Sequence, residues 1–396
     1  MLVLVINSGS SSLKAQLMET KTGEVFCNAY CERIGLDKSF MTYKTSEKHV
    51  IEQSMPTHKE AFKLFLDTIV DKKIGVIKSL DEIKAIGHRV VNFGEKYKTS
   101  TLVNKKVLED FKKNIGFAPL HNPPAVLGIE VCMELMPKVK NVAVFDTAFH
   151  STMPEKAYMY AIPYEFYDKN KIRRYGAHGT SHRYIALKCK ELFGGSLKGK
   201  KIISCHLGGG SSICAIKDGV SIDTSMGFTP LVGVMMGTRA GDVDASIVKE
   251  IMSIKNCSVD EAINILNKKS GLAGICGYSD MRDIESNIKD KKVKLAFDMM
   301  IYSIKKYIGA YAAAMNGVDA IVFTAGIGEK DEVVREAVCR DMEYLGVEFD
   351  EEKNVKLHKP FDNIVELTKP TSRVKVYRIP TNEEYMIAMD TAEFAK

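Results

Sequence analysis

Two segments about half a chain apart carry residues suited to holding a phosphate. Val5-Ile6-Asn7-Ser8-Gly9-Ser10-Ser11-Ser12-Leu13-Lys14 and Cys205-His206-Leu207-Gly208-Gly209-Gly210-Ser211-Ser212 each run from an apolar strand, through a Gly/Ser loop, into an alternating strand. Small residues there let backbone N–H groups face an anion. One copy alone would read as an ordinary glycine-rich hairpin. The second copy turns the reading toward two related lobes that grip a polyphosphate between them.

Phosphoryl transfer needs cations on the equatorial oxygens, carboxylates for magnesium and amides around the phosphates. Arg89 follows Gly87-His88, and Arg239 lies between glycines in Met236-Gly237-Thr238-Arg239-Ala240-Gly241-Asp242. A guanidinium binds carboxylate or phosphate in a bidentate fork, although a surface ion pair is the plainer use of either arginine. His178 and His182 stand four apart, as helical metal ligands do, but Gly179 directly after His178 argues for a loop or helix start. An imidazole there could donate to a transferring phosphoryl group; a structural histidine is the ordinary alternative for each. Asp146 and Glu383 follow apolar strands and are the best carboxylates for the magnesium region, with a helix cap as the bland alternative.

These groups need elements to place them. Residues 1 to about 45 read as hairpins, with turns near Lys21-Thr22-Gly23 and Gly35-Leu36-Asp37. Apolar positions at helical spacing predict a helix over 58–75. Buried strands are predicted over 83–91 and 142–146. Their charged C-terminal ends, Arg89 and Asp146, fall where open α/β sheets bind ligands. A second lobe is predicted from about residue 150. It contains a hairpin at Asp218-Gly219, helices over 243–255, 258–268 and 290–316, a strand over 320–324 leading into Gly326-Ile327-Gly328-Glu329, and a strand over 374–379. A final helix over about 384–396 crosses back to the first lobe. The predicted domains are therefore 1–149 with that helix, and 150–383. Gly194-Gly195-Ser196-Leu197-Lys198-Gly199-Lys200-Lys201 nearly spells a P-loop. It lacks the final Ser/Thr and precedes a strand, so it reads as a solvated turn.

The chain has 396 residues, which exceeds a usual single core, and a net charge of only +6. Its charge is spread out, with no basic tail that would favour nucleic acid. No apolar run approaches the ~18 residues that span a membrane, and the N-terminus lacks the pattern of a signal peptide. Nine cysteines without CxxC or zinc spacing fit reduced thiols and a cytoplasmic protein.

The motifs resemble the acetate kinase family across essentially the whole chain. Asn7 to Lys14, Gly87 to Val91, Ala118-Pro119-Leu120-His121-Asn122-Pro123, Phe145 to His150 and His178-Gly179-Thr180-Ser181-His182 carry the likeness. So do Asp223 to Pro230, Met236 to Arg239, Ser279 to Glu285, Gly326 to Glu329 and Pro380-Thr381-Asn382-Glu383-Glu384. The resemblance implies an α/β fold of two duplicated ribonuclease-H-like lobes, shared with sugar kinases, Hsp70 and actin, with the active site in the cleft. It implies reversible ATP-dependent phosphorylation of acetate to acetyl phosphate by direct in-line transfer, Mg²⁺ (or Mn²⁺) with ATP/ADP, and a homodimer whose C-terminal lobe dimerises. Asp146, His178 and Arg239 would be catalytic. Arg89, Val91, Leu120, Ala177 and Pro230 would bind the acid, and Asn7 and Glu383 the metal. Lys14, His206, Leu207, Gly208, Gly209, Gly210, Asp280, Met281, Arg282, Gly326, Ile327, Gly328, Glu329 and Lys330 would hold the nucleotide.

Several positions depart from the family pattern. Asn92-Phe93-Gly94-Glu95 replaces His-Gly-Gly-Glu, Ala177 replaces Phe, Gly209 replaces Asn, Val232 replaces Glu, Ala240 replaces Ser and Lys330 replaces Asn. Ala177 raises the alternative of a larger acid, such as propionate, butyrate or a branched acid, unless Phe93 refills the space. A nucleotide-dependent conformational protein on the same fold is the reading from another class, and the retained Arg89, Asp146, His178 and Arg239 argue against it.

Overall fold

β1 (Leu2–Ser8) is a continuous apolar run through Ile6, β2 (Ser12–Glu19) alternates, and the loop between them closes an antiparallel pair with Ser8 opposite Leu13. The computed structural model describes residues 1–118, 121–355 and 363–396. The described residues divide into two units, Met1–Phe149 with Asn382–Lys396, and His150–Thr381.

In the first unit β3 (Val25–Glu32), β4 (Phe40–Lys44) and β5 (Lys48–Glu52) extend the meander from β2. On the other side β6 (Ala85–Val90) joins β1 in parallel. The short β7 (Thr101–Val103) pairs antiparallel with β8 (Lys140–Phe145), which itself runs parallel to β6. One face of this sheet packs Leu4, Ile6, Leu13 and Leu17 against Phe62 and Phe65 of the helix His58–Ile69 and Val131 of the helix Asn122–Leu135. The other face packs Val3, Val5, Val142 and Val144 against Ile387 and Ala388 of the helix Glu383–Phe394. Gly87 on β6 is required by that contact, because a Cβ there would collide with Thr391 and Ile387.

The second unit repeats the plan. β9 (Lys201–Leu207) and β10 (Ser211–Lys217) close the second glycine loop, and β11 (Val220–Thr224) continues the meander. β12 (Ala320–Thr324) lies parallel to β9 and to β14 (Lys375–Arg378), with β13 (Val365–Glu366) at the edge. Both sheets contain the same core order: β3-β2-β1-β6-β8 in the first and β11-β10-β9-β12-β14 in the second. This duplicated ribonuclease-H-like arrangement is the expected fold class. The 25-residue helix Lys291–Met315 buries Ala296, Met300, Ile304 and Ile308 against Ile203, Ile213 and Phe323 of the sheet.

The helix predicted over 58–75 stops at Ile69. The Asp71 carboxylate accepts the N–H groups of Lys73 and Ile74, at 2.8 and 3.1 Å, and so offers the backbone a turn in place of another helical turn. Asp218 and Gly219 both have positive φ, as a two-residue hairpin turn requires. All nine cysteines are free thiols, and burial pushes the Cys31 thiol up to about 12. Among the described residues no helix is long and apolar enough to cross a membrane.

Candidate active site

In the first unit the parallel register of β6 and β8 sets Arg89 level with Val144, and Asp146 follows one residue beyond β8. The Arg89 guanidinium donates to both oxygens of Asp146, through Nε at 3.2 Å and Nη2 at 2.6 Å. Asp146 is 1 % exposed and also donates its backbone N–H to the Val90 carbonyl at 2.8 Å. The carboxylate raises the Arg89 pKa, so the cation is permanent. The fork expected to hold a substrate carboxylate is therefore engaged with Asp146, which leaves the Nη1 edge. Glu383 opens the helix Glu383–Phe394. Burial pushes its carboxyl up to about 7, Arg89 opposes this, and Asp146 and Glu384 reinforce it. Asn7 and Lys14 are direct cross-strand partners and line, with Glu384, a cavity of about 240 Å³. Among the described residues no group of three or more His, Cys, Asp or Glu is placed to hold a metal.

In the second unit His178 precedes the helix Gly179–Leu192 with φ +57°, a left-handed conformation uncommon outside glycine and Asn-like residues. The bend places its Nδ1 2.9 Å from Ser212 Oγ and stacks its ring on His206 at 4.0 Å. A Cβ on Gly210 would stand 3.2 Å from His178 Nε2 and 3.5 Å from Arg239 Nη1. The imidazole and the guanidinium thus converge on one bare stretch of the glycine loop. Arg239 Nη1 donates to the Pro230 carbonyl at 3.1 Å and lies 3.7 Å from Met236 Sδ. Among the described residues no carboxylate lies within ion-pair distance of Arg239, and burial lowers its pKa. A half-buried guanidinium without a counter-ion is poised for an anion from outside the chain.

Gly208, Gly209, Asp280, Met281, Arg282, Gly326, Ile327 and Lys330 line one cavity of about 580 Å³ in this unit. Its glycine loops and cations suit phosphates. Its carboxylates suit hydroxyls and an amino group. Asp280 caps the helix Met281–Ser286 and pairs with Arg282, which holds the Asp280 carboxyl down to about 2. His206, Leu207, Gly210, Gly328 and Glu329 are absent from that lining. His206 Nδ1 pairs with Ser181 Oγ at 2.8 Å, and Leu207 is buried in the sheet core. Glu329 accepts the N–H groups of Ala325 and Thr381, at 2.8 and 2.9 Å, and so braces the loop from inside. Gly237, Ser279, Glu285, Asp331 and Glu332 complete the lining. Ser279 and Glu285 bound a motif run that carries the family likeness but were not singled out as site residues, and Asp331 and Glu332, at the start of the helix Glu332–Cys339, had no signal in the sequence.

Of the expected acid-binding residues, Arg89 and half-buried Val91 belong to the first unit and Ala177 and Pro230 to the second. Leu120 lies outside the described residues. Ala177 packs against Met226 and Met236. Phe93 is stacked on Phe111 at 4.3 Å and meets Tyr97 and Phe145 edge-on, inside the first unit's own core.

The model for the Acetokinase family matches residues 2–389. The chain belongs to the acetokinase family. It is 54 % identical over 401 residues to an acetate kinase from Thermotoga maritima, covering 100 % of this chain and 99 % of the relative. The acetokinase fold is also evident in solved structures. An acetate kinase from Porphyromonas gingivalis superimposes with a TM-score of 0.94 at 44 % identity, covering 100 % of both chains. A propionate kinase from Francisella tularensis gives 0.91 at 40 %, covering 99 % of both. The full-length relatives of this acetokinase-family chain are thus named for acetate and, in one solved structure, for propionate.

Proposed function

We propose that the chain transfers the γ-phosphoryl group of ATP directly and reversibly to acetate, through the residues described above. The observation that carries this reading is the convergence on Gly210 of His178 and of Arg239, which has no carboxylate partner among the described residues, on the same loop whose Gly208 and Gly209 line the nucleotide-sized cavity. Arg239 would neutralise the equatorial oxygens of the phosphoryl group in flight, and His178 would donate to one of them. Arg89 would orient the acid's carboxylate through its Nη1 edge while Asp146 holds the guanidinium still. The cavity of the second unit would take the nucleotide. Magnesium, or manganese, would be held by Asn7 and Glu383. These are hard oxygen donors, too few to retain an ion alone, as suits a cation that keeps waters and arrives with a phosphate. When bound it offsets charge on the phosphate oxygens. A homodimer in the cytoplasm is the assembly and location we assign.

The experiment that tests this is a hydroxamate assay for acyl phosphate with Mg²⁺ and ATP over a panel of acids. Met226 and Met236 beside Ala177 support a small acyl site, because unbranched methionines fill the volume that a ring would take. Acetate is expected to exceed butyrate in kcat/KM by about tenfold or more, the scale set by extra methylenes in an apolar pocket. Equal values for the two acids would restore the larger-acid alternative. No acyl phosphate with any acid would refute the function.

A Cβ added at Gly209 would meet nothing within 4 Å, and the residue has no positive φ, so a side chain fits there without strain. Gly209→Asn adds an amide donor beside the cavity. It is expected to lower the KM for ATP by about threefold to tenfold, the worth of one ordinary hydrogen bond. An unchanged or raised KM would mean that the glycine loop makes its phosphate contacts through the backbone alone.

A further inference from the structure

A hydrogen-bonded chain runs behind His178. Ser204 Oγ lies 2.9 Å from His182 Nδ1, His182 Nε2 lies 2.8 Å from Ser212 Oγ, and Ser212 Oγ lies 2.9 Å from His178 Nδ1. Ser204, His182 and Ser212 are fully buried, away from bulk solvent. We propose that Ser212, ordered by Ser204 and His182, is a positioning residue that fixes His178 as the tautomer with its proton on Nε2, the ring atom nearest a Cβ placed on Gly210, the point Arg239 also reaches. The inference rests on the reading of His178 as a donor to the phosphoryl group and supplies the reason it donates.

The argument is a count of protons. A serine hydroxyl carries one hydrogen, so Ser212 donates to one imidazole and accepts from the other. Burial, together with the neighbouring rings of His150 and His206, lowers the His182 pKa well below its ordinary value, so His182 has one ring proton. Two orders satisfy these conditions. In the first, Ser204 donates to His182 Nδ1, His182 Nε2–H donates to Ser212, and Ser212 donates to His178 Nδ1. The His178 proton then sits on Nε2. In the second order every bond is reversed, and Ser204 must accept from His182. Its own hydroxyl hydrogen then needs another acceptor. Among the described residues Ser204 Oγ has no hydrogen-bond partner besides His182. An unmade buried donor is costly, so the first order prevails. The reverse order would aim an Nε2 lone pair at the phosphate oxygens and repel them.

The arrangement gives both histidines of the His178-Gly179-Thr180-Ser181-His182 motif a part, although His182 is wholly enclosed. His182 touches no reacting atom; it hands direction to Ser212 from one turn further along the helix. Ser204 and Ser212 come from adjacent strands β9 and β10, so the pairing of the second glycine hairpin itself sets the proton order.

The test uses the full chain with ¹⁵N-labelled histidine. Two-bond ¹⁵N–¹H correlations assign the tautomer of each ring, with His178→Gln identifying the His178 signals. The wild type is expected to show His178 protonated at Nε2. Ser212→Ala is expected to give mixed tautomers and to lower kcat by about 10–100-fold, the scale for losing the partner that orients a functional imidazole. The KM values for ATP and acetate should stay within about twofold, and Ser212→Thr, which keeps the hydroxyl, should recover the rate. An Nδ1–H signal for His178 in the wild type overturns the proposal, and so does a Ser212→Ala variant with unchanged tautomer and unchanged kcat. If Ser212→Ala does not fold, the wild-type spectrum still decides. A correct tautomer combined with full activity in the His178→Gln variant would refute the catalytic reading of His178 and leave the proton order standing.

Discussion

Replacing Arg239 by alanine is expected to lower kcat by about a thousandfold or more, the scale for an arginine that serves phosphoryl transfer. The guanidinium is half-buried, has no carboxylate partner among the described residues, and stands within reach of the loop point where His178 also arrives. No carboxylate among the described residues compensates its charge, so its cost is carried by the folded protein until an anion comes. Removing it should therefore spare stability: the Tm of Arg239→Ala is expected at or slightly above that of the wild type, while turnover collapses. Steady-state kinetics with acetate and ATP, together with a thermal melt, check both halves. A loss of less than tenfold in a folded variant contradicts the role. A large fall in Tm would show that the guanidinium is a structural clamp on the Pro230 carbonyl instead.

The second large effect is at Arg89. Arg89→Ala removes the only ion-pair partner of Asp146 among the described residues, and Asp146 is almost completely buried. Breaking a buried pair from one side costs about 3–5 kcal/mol, so this variant should lose much of its stability as well as its affinity for the acid. Two companions separate the effects. Arg89→Lys keeps the charge but not the fork, and should raise the KM for acetate by about 10–100-fold, which is the 1.5–3 kcal/mol of a hydrogen bond to a charged group. Arg89→Ala combined with Asp146→Asn removes both charges and should recover stability without recovering the KM. If only the KM for ATP moves in Arg89→Lys, the assignment of Arg89 to the acid is wrong.

The sequence by itself determined what depends on neighbours in the chain. An apolar strand entering each Gly/Ser loop and an alternating one leaving it specify the two hairpins, because a strand's period and a glycine's freedom are local properties. The repeat of that pattern near Asn7 and near His206 pointed to two related lobes, and the motif runs carried the family resemblance, which implied the duplicated α/β fold. Helix ends were less legible: the turn at Asp71 competes with the helix through a side-chain bond that periodicity does not register. Only the tertiary structure decided which polar groups are spent on each other. Arg89 and Asp146 read as separate ligand-facing charges at strand ends, with no sign that they are each other's partner, yet the parallel register of β6 and β8 brings them into a fork, 57 residues apart in the chain. Phe93 looked available to fill the space left at Ala177, but its ring belongs to the stack with Phe111, and two methionines lie against Ala177. Ser204 and Ser212 carry no mark in the sequence beyond their place beside a glycine loop. Their meaning arises when strand pairing and a helix packed on the sheet link two hydroxyls and two imidazoles in a chain of contacts each shorter than 3 Å. A residue's type sets what chemistry it can do; its hydrogen-bond partners, which arrive from distant parts of the chain, set which of those it is left free to do.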